Sequence, residues 1–241
     1  MRVVYVFLIC GLAAVAATAE SEGFEPIFNG KDLTGWDGNP KLWTVEEGTI
    51  VGRTSADAPL KANTFLIWRA GEVENFILRV AYRIEGGNSG IQYRSREING
   101  VPWGMGGYQA DIVAGETISG ILYEERGRGI LAQLGQKVQI QANGELRVIE
   151  QFAKAEDLVQ KLHKQDWNQY EITVRGNHIA HKINDTVMSE VIDDQPGKRA
   201  FKGLVALQLH QGPPMRVQFK DLQLKRLEAG KEAAASETKG E

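Results

Sequence analysis

The sequence predicts an all-β fold, a sandwich or jelly roll of two antiparallel sheets, and three observations lead to that prediction. Apolar and polar residues alternate with a period of two through several segments. Turn dipeptides such as Gly176-Asn177 and Asn184-Asp185 separate those segments. Only one short segment, residues 155–163, is a helical candidate, so helices contribute little to the predicted fold. Many short strands in a chain of roughly 200 ordered residues are typical of a single sandwich domain.

Four segments carry the alternation that predicts strands. They are residues 76–84, 169–175, 204–210 and 216–226. In the last of them the alternation slips near Lys220 and Asp221, which predicts a β-bulge. Residues 176–187 predict a hairpin with Asn184 and Asp185 at its tip.

Composition and charge exclude several protein classes. The 241 residues are 42% hydrophobic and 24% charged, which excludes wholesale disorder and a polytopic membrane protein. A formal net charge of −3 gives no electrostatic footprint for a nucleic-acid partner. The single cysteine, Cys10, excludes a disulfide framework and any site built from several thiolates.

The two ends of the chain differ from the rest. In residues 1–19, Arg2 precedes an apolar run that ends in the small residues Ala17-Thr18-Ala19. This pattern predicts a signal peptide cleaved near Ala19, a secreted or periplasmic protein and no stable membrane anchor after cleavage. The alternative is an uncleaved anchor, for which the run is short. Residues 228–241 hold no apolar residue larger than Ala and predict a disordered tail, which leaves residues 20–227 as one domain.

Polar side chains recur on one face of neighbouring predicted strands, where they can line a concave binding surface. The candidates are Gln92, Arg94, Gln109, Asp111, Tyr123, Glu124, Glu125, Gln208 and His210. Such groups suit sugar hydroxyls, which need paired donors and acceptors. Trp103 lies in a Gly-rich loop, where its indole can stack on a pyranose ring. His210 ends a strand beside a Pro-Pro loop, and histidine suits proton transfer near neutral pH.

Each of these residues also has a purely structural interpretation. An outward polar side chain is normally just solvated, and Arg94 with Asp111 would make a structural ion pair. Glu124 and Glu125 would join a solvated charge cluster with the nearby arginines. His181 alternates in step with Ile179 and Ile183, so a packed histidine and a substrate-binding one both fit the pattern.

Several mechanisms lack their motifs in this chain. The sequence has no Gly-x-Ser-x-Gly elbow, no phosphate-binding loop and no His-Glu-x-x-His, and Cys10 would leave with the signal peptide. It indicates no cofactor. Its Asp, Glu and His residues leave a binding site for a divalent metal as an open alternative, although no spacing requires one.

Blocks along residues 24–227 carry a family resemblance. They include Phe-Asn-Gly-Lys-Asp-Leu-Thr-Gly-Trp (28–36), Asn-Ser-Gly-Ile-Gln-Tyr-Arg (88–94), Gly-Tyr-Gln-Ala-Asp (107–111), Gly-Ile-Leu-Tyr-Glu (120–124) and Gly-Leu-Val-Ala-Leu-Gln-Leu-His (203–210). In these blocks the chain resembles the 3-keto-disaccharide hydrolase family. It departs from the family pattern at Leu209, where many relatives carry a carboxylate, and at Asp185, where many carry Gly.

The resemblance implies a concanavalin A-like jelly roll with 3-keto-glycoside lyase, hydratase or net hydrolase activity. A ketone at sugar carbon 3 acidifies the proton on carbon 2, so a general base can remove it and the substituent on carbon 1 can leave. Candidate proton carriers are Asp111, Glu124 and His210. Candidate substrate contacts are Gln92, Arg94, Trp103, Gln109, Tyr123, His181 and Gln208.

Two other functions fit the same sequence. One is a non-catalytic, lectin-like carbohydrate-binding module that uses the same concave face, and the other is a structural or interaction domain. An enzyme needs a base and an acid that converge within about 5–10 Å, as in other sugar-cleaving sites. Asp111, Glu124 and His210 on different surfaces would count against the enzyme. The sequence predicts a sugar or glycoside as the partner and leaves the oligomeric state open.

Overall fold

The computed structural model describes residues 23–115 and 118–228, and these residues form two packed β-sheets. The larger sheet has ten described strands, which in spatial order are β12 (Leu146–Gln151), β11 (Gln136–Ile140), β15 (Thr186–Asp193), β14 (His178–Ile183), β13 (Asn168–Arg175), β6 (Phe76–Glu85), β17 (Arg216–Arg226), β4 (Thr49–Arg53) and β3 (Trp43–Glu46), with β1 (Glu25–Pro26) also paired to β17. The smaller sheet has seven, in the order β10 (Gly129–Ala132), β9 (Leu122–Glu125), β8 (Met105–Val113), β7 (Asn88–Glu97), β16 (Leu204–Leu209), β5 (Thr64–Trp68) and β2 (Trp36–Asp37).

The predicted all-β sandwich of two antiparallel sheets is confirmed. Strand pairs are antiparallel, except that β11 and β15 run parallel. Between β12 and β13 lies the helix α1 (Ala155–Val159), which is shorter than the predicted segment 155–163. Within the described residues, no helix has the length and apolar character needed to cross a membrane.

Two local predictions are also confirmed. The register of β17 against β6 shifts between Lys220 and Gln223, where Asp221 has a φ of +52°, so the broken alternation does mark a bulge. The β14–β15 hairpin turns at Asn184 and Asp185, with φ values of +48° and +61°. Both angles are those of the tight turns that asparagine and aspartate tolerate.

The hydrophobic core lies between the sheets. On the inner face of the larger sheet, Leu78, Val80 and Ile172 are fully buried. They belong to the same cluster as Ile91 and Leu207 from the inner face of the smaller sheet. This packing leaves the other side of the smaller sheet, its outer face, pointing away from the core. Phe65, Ile67, Met105 and Ala206 form a separate buried cluster there.

The predictions for the two ends of the chain fall largely outside the described residues. The predicted signal peptide, residues 1–19, lies outside them, as does the predicted tail from residue 229 onward. Both therefore stay predictions.

Candidate functional site

Four predicted residues meet on the outer face of the smaller sheet. In the β7–β8 ladder Gln92 lies directly opposite Gln109, and in the β8–β9 ladder Gln109 lies opposite Tyr123. Directly opposed residues of antiparallel strands project to the same face. Gln208 of β16 pairs with Phe65, a member of the outer cluster, and so faces the same way.

The glutamine amides form a buried hydrogen-bonded cluster. Gln92 Nε2 and Gln208 Nε2 donate to Gln109 Oε1 at 3.1 Å and 3.0 Å. Gly90 makes room for this packing, because a Cβ at that position would lie 2.7 Å from the Gln109 side chain. All three glutamines are at most 2% exposed, so their polar atoms are shielded from bulk water.

Asp111 extends the cluster by a carboxylate. Gln109 Nε2 donates to Asp111 Oδ1 at 2.6 Å, and Asp111 is 5% exposed. Burial raises the pKa of Asp111 to about 7, and the nearby charge of Glu125 adds to the rise, while hydrogen bonds from Gln109 and Asn88 oppose it. A carboxylate with a pKa near neutrality is suited to act as a general base.

Glu125 is the second carboxylate on this face. Glu125 pairs with Gly107 and alternates with Tyr123, which places both β9 side chains on the same side as Asp111. Burial raises the pKa of Tyr123, and the charges of Glu125 and Asp111 raise it further. The sequence named two adjacent glutamates here, and only the strand register shows which of them faces Asp111.

Asn63 connects this face to the strand end that carries His210. Its Nδ2 donates to Glu125 Oε1 at 3.1 Å, and its Oδ1 accepts from the backbone nitrogen of Gln211 at 2.9 Å. Asn63 precedes β5, which stands four strands from β9 in the sheet, or roughly 19 Å along a flat sheet. The contact therefore joins two parts of the sheet that the strand order holds four positions apart. We call Asn63 and these two contacts the strap.

Two buried oxygens in the cluster have no protein partner. Gln92 Oε1 and Asn88 Oδ1 are inaccessible to solvent and accept no hydrogen bond from any described residue. An unmet acceptor in a buried site costs about 1–3 kcal/mol, which a bound hydroxyl would relieve. Both oxygens are free to accept a hydrogen bond from a group that enters the cluster.

The structure places Glu124 away from the other candidates. Glu124 pairs with the buried Tyr108 and faces the inner side of the sheet, because adjacent residues of a strand alternate. Its Oε2 accepts from Arg128 Nε at 2.6 Å, and Arg128 Nη2 donates to the buried Asp193 at 2.7 Å. Glu124 therefore holds the β9–β10 turn against the larger sheet and does not converge on Asp111. The three predicted proton carriers do not share one face, which counts against an enzyme that uses Glu124.

Arg94 also departs from the prediction that it shares a face with Gln92. Its φ of +46° and the register shift after Tyr93 break the alternation of β7. The guanidinium donates to the backbone oxygens of Glu74, Gly176 and Ala200 and to Asn75 Oδ1. Burial lowers its pKa to about 10. Arg94 ties four chain segments together and makes no ion pair with Asp111.

His181 is buried in the core. Its Nε2 lies 2.8 Å from the Tyr93 hydroxyl, and its Nδ1 lies 3.2 Å from the Tyr170 hydroxyl. The residue is fully buried, and burial lowers its pKa to about 3. The packed alternative is the correct one, and the predicted substrate contact at His181 is wrong because the imidazole lies between the sheets.

Trp103 and His210 border the outer face. Trp103 packs against the outer cluster, and its Nε1 donates to Asp37 Oδ1 at 2.9 Å. His210 follows Gln208 at the spacing of one face, and its Nδ1 contacts the backbone oxygen of Gln211, next to the strap. Both residues lie at the margin of the cluster, one on each of two connecting loops.

Asp111 and the three glutamines are buried in this structure. A pocket of about 390 Å³ elsewhere, lined among others by Tyr82, Ser119 and His163, includes none of the predicted site residues. Among the described residues, no group of three His, Cys, Asp or Glu side chains is arranged to hold a metal ion. Because Asp111 and the three glutamines are almost fully buried, a ligand reaches them only when the groups that cover them move.

Comparison with known proteins identifies the family. The sequence matches the 3-keto-alpha-glucoside-1,2-lyase-like domain family over residues 23–225. The chain belongs to this family. A curated relative, the 3-keto-disaccharide hydrolase of Bacteroides thetaiotaomicron, is 34% identical over 87 residues. That stretch is 33% of this chain and 30% of the relative, so the match spans about a third of each.

Solved structures of other proteins have a similar fold. A Bacillus subtilis protein of unknown function with a galectin-like fold is similar, with a TM-score of 0.56 and 10% identity over 86% of this chain and 96% of that one. The carbohydrate binding module CBM66 of Bacillus subtilis gives a TM-score of 0.50 and 14% identity over 79% and 95%. At these identities the likeness concerns the fold alone.

Proposed function

We propose that this protein cleaves 3-keto-glycosides by removing the proton on sugar carbon 2. The observation that carries the proposal is the Asp111 carboxylate, buried on the outer face among three glutamine amides and two unpartnered acceptors. The family and the curated hydrolase supply the substrate class.

Asp111 acts as the general base in this proposal. The bond between carbon 2 and its hydrogen breaks, the proton passes to Asp111, and the electron pair delocalises onto the oxygen of the ketone. The side-chain amides of Gln92 and Gln208 already donate within the cluster, and they can turn toward that oxygen as its charge develops. Gln92 Oε1 and Asn88 Oδ1 accept hydrogen bonds from hydroxyl groups of the same sugar ring.

Elimination then breaks the bond between carbon 1 and the leaving oxygen. The electron pair of the enolate forms a double bond between carbons 1 and 2, and the leaving oxygen takes a proton. Tyr123 is the donor in this proposal, because its raised pKa keeps the hydroxyl protonated and its strand position lies opposite Gln109. Glu125 lies on the same face, and His210 at the strand end is a further proton carrier. Addition of water across the double bond completes a net hydrolysis.

A carbohydrate-binding module is the second candidate. The observation that favours it is the cluster itself, since amides with free acceptors bind sugar hydroxyls without any chemistry. Incubation with methyl 3-keto-glucoside separates the two candidates. The enzyme releases methanol and consumes the ketosugar, whereas binding detected by calorimetry without any turnover supports the module and contradicts the enzyme.

We also propose that the chain is exported and that residues 1–19 are removed after Ala19. The basis is the Arg2-led apolar run and its small-residue end. Expression of the full-length gene with its native leader, followed by N-terminal sequencing of the purified protein, tests this. A mature start at Glu20 supports export, and an intact Met1 in an exported or membrane fraction contradicts cleavage.

A further inference from the structure

One row of side chains crosses the outer face at right angles to the strands. The ladders pair Ala206 with Gln92, Gln92 with Gln109, Gln109 with Tyr123, and Tyr123 with Ile130 of β10. Exposure rises along this row, from 0% at Gln92 and 2% at Gln109, through the half-buried Tyr123, to 42% at Ile130. The chemistry changes in the same direction, from amides to a phenol to an aliphatic side chain.

The two ends of the row differ in access. At the Ala206 end, the outer cluster of Phe65, Ile67 and Met105 is closed by Trp103, so no ligand can extend there without unpacking it. At the other end, β10 is the edge strand of the sheet, and nothing pairs beyond it among the described strands. Across the strands, a ligand bound over the amides can therefore extend toward Ile130 and not toward Ala206.

We propose that Tyr123 and Ile130 form the subsite for the leaving group and that it selects apolar aglycones. This inference rests on the proposed function, since the glutamines and Asp111 must hold the ketosugar. Neighbouring strands stand about 4.8 Å apart, so Ile130 lies about 10 Å from Gln109. A sugar bound at Gln109 that carries a ring-sized aglycone spans this distance. The substrate class is a 3-keto-glycoside of a hydrophobic alcohol.

The selectivity follows from the chemistry of the Ile130 side chain. An aliphatic surface removes apolar area of the aglycone from water and offers no partner for hydroxyl groups. A second sugar at this position would leave hydroxyls facing Ile130. An apolar contact of one or two methylene groups changes kcat/KM by roughly tenfold.

The test compares cyclohexyl and methyl 3-keto-glucosides. Cyclohexanol and methanol are leaving groups of similar acidity, so the ratio of the two kcat/KM values isolates the apolar contact. We expect Ile130→Ser to lower the ratio of kcat/KM for the cyclohexyl substrate to kcat/KM for the methyl substrate by roughly tenfold. Ile130→Leu should keep the wild-type ratio. Val148→Ser is the matched control, because Val148 is 48% exposed but lies on β12 of the other sheet.

The outcomes separate this inference from the proposed function. Turnover of both substrates with a ratio unchanged in Ile130→Ser overturns the subsite and leaves the function standing. A ratio that falls equally in Val148→Ser also overturns it, since the effect is then not local. If the wild-type protein turns over neither substrate, the proposed function fails and the subsite fails with it.

Discussion

Gln109 donates a hydrogen bond of 2.6 Å from its Nε2 to Oδ1 of Asp111, two residues further along the same strand. The same amide accepts from Gln92 and Gln208 through its oxygen. Gln109 therefore fixes the orientation of a carboxylate that burial holds at a pKa of about 7. This relationship gives the outer face an oriented carboxyl group with a pKa near neutrality.

The pH dependence of activity follows from that pKa. Asp111 can abstract a proton only when it is ionised, so kcat/KM for a 3-keto-glycoside should rise as the pH passes through about 7 and level off above it. Initial rates between pH 5 and pH 9 check this. A profile already flat at pH 5 would show that the group is ionised far below neutrality.

Stability should change with pH in the opposite direction. The pKa of Asp111 is raised from 3.8 to about 7, so the folded state holds a proton that the unfolded state has released. Between about pH 4 and pH 7 the unfolded state binds fewer protons, and the free energy of unfolding falls by up to about 1.4 kcal/mol per pH unit, or about 4 kcal/mol in all. Urea titrations should show this loss in the wild type relative to Asp111→Asn. If the free energy of unfolding changed with pH in the same way in both proteins, the raised pKa of Asp111 would be contradicted.

Glu125 and Glu124 form a matched pair for testing the face assignment. Glu125→Gln removes a negative charge that raises the pKa of Asp111, so the activity profile should move to lower pH. Glu124→Gln weakens the contact with Arg128 and should lower the melting temperature without moving the profile. A shift in the profile of Glu124→Gln, with none for Glu125→Gln, would reverse the two roles.

His181 should matter for folding and not for the pH profile. Its imidazole lies between the hydroxyls of Tyr93 and Tyr170, and His181→Ala leaves both without that partner beside a cavity. We expect a loss of about 2–4 kcal/mol in the free energy of unfolding. In the folded fraction, the midpoint of the activity profile should stay where it is in the wild type. A displaced midpoint would mean that His181 acts on the site.

The sequence predicted the sheets because alternation is a local property. Residues 76–84 and 204–210 show the period that burial imposes, and the bulge near Asp221 shows as its interruption. Gln92, Gln109, Asp111, Tyr123 and Gln208 could be assigned to one face for the same reason.

The rest of the site depends on information that no single strand carries. Arg94 left the face because a left-handed residue reversed the alternation, and a non-glycine residue gives no signal for that conformation. Glu124 and Glu125 have the same chemistry, so only pairing with Tyr108 and Gly107 distinguishes them. The strap joins Asn63 to Glu125 across 62 residues of sequence. No local pattern predicts such a contact.

Exchange of the carbon 2 proton tests the central claim most directly. Wild-type protein incubated in D₂O with methyl 3-keto-glucoside should place deuterium on carbon 2 or release the methanol, as followed by NMR. Asp111→Asn should slow both processes by roughly 100-fold or more while it still binds the sugar. Exchange and release at the wild-type rate in Asp111→Asn would contradict the assignment of Asp111 as the base.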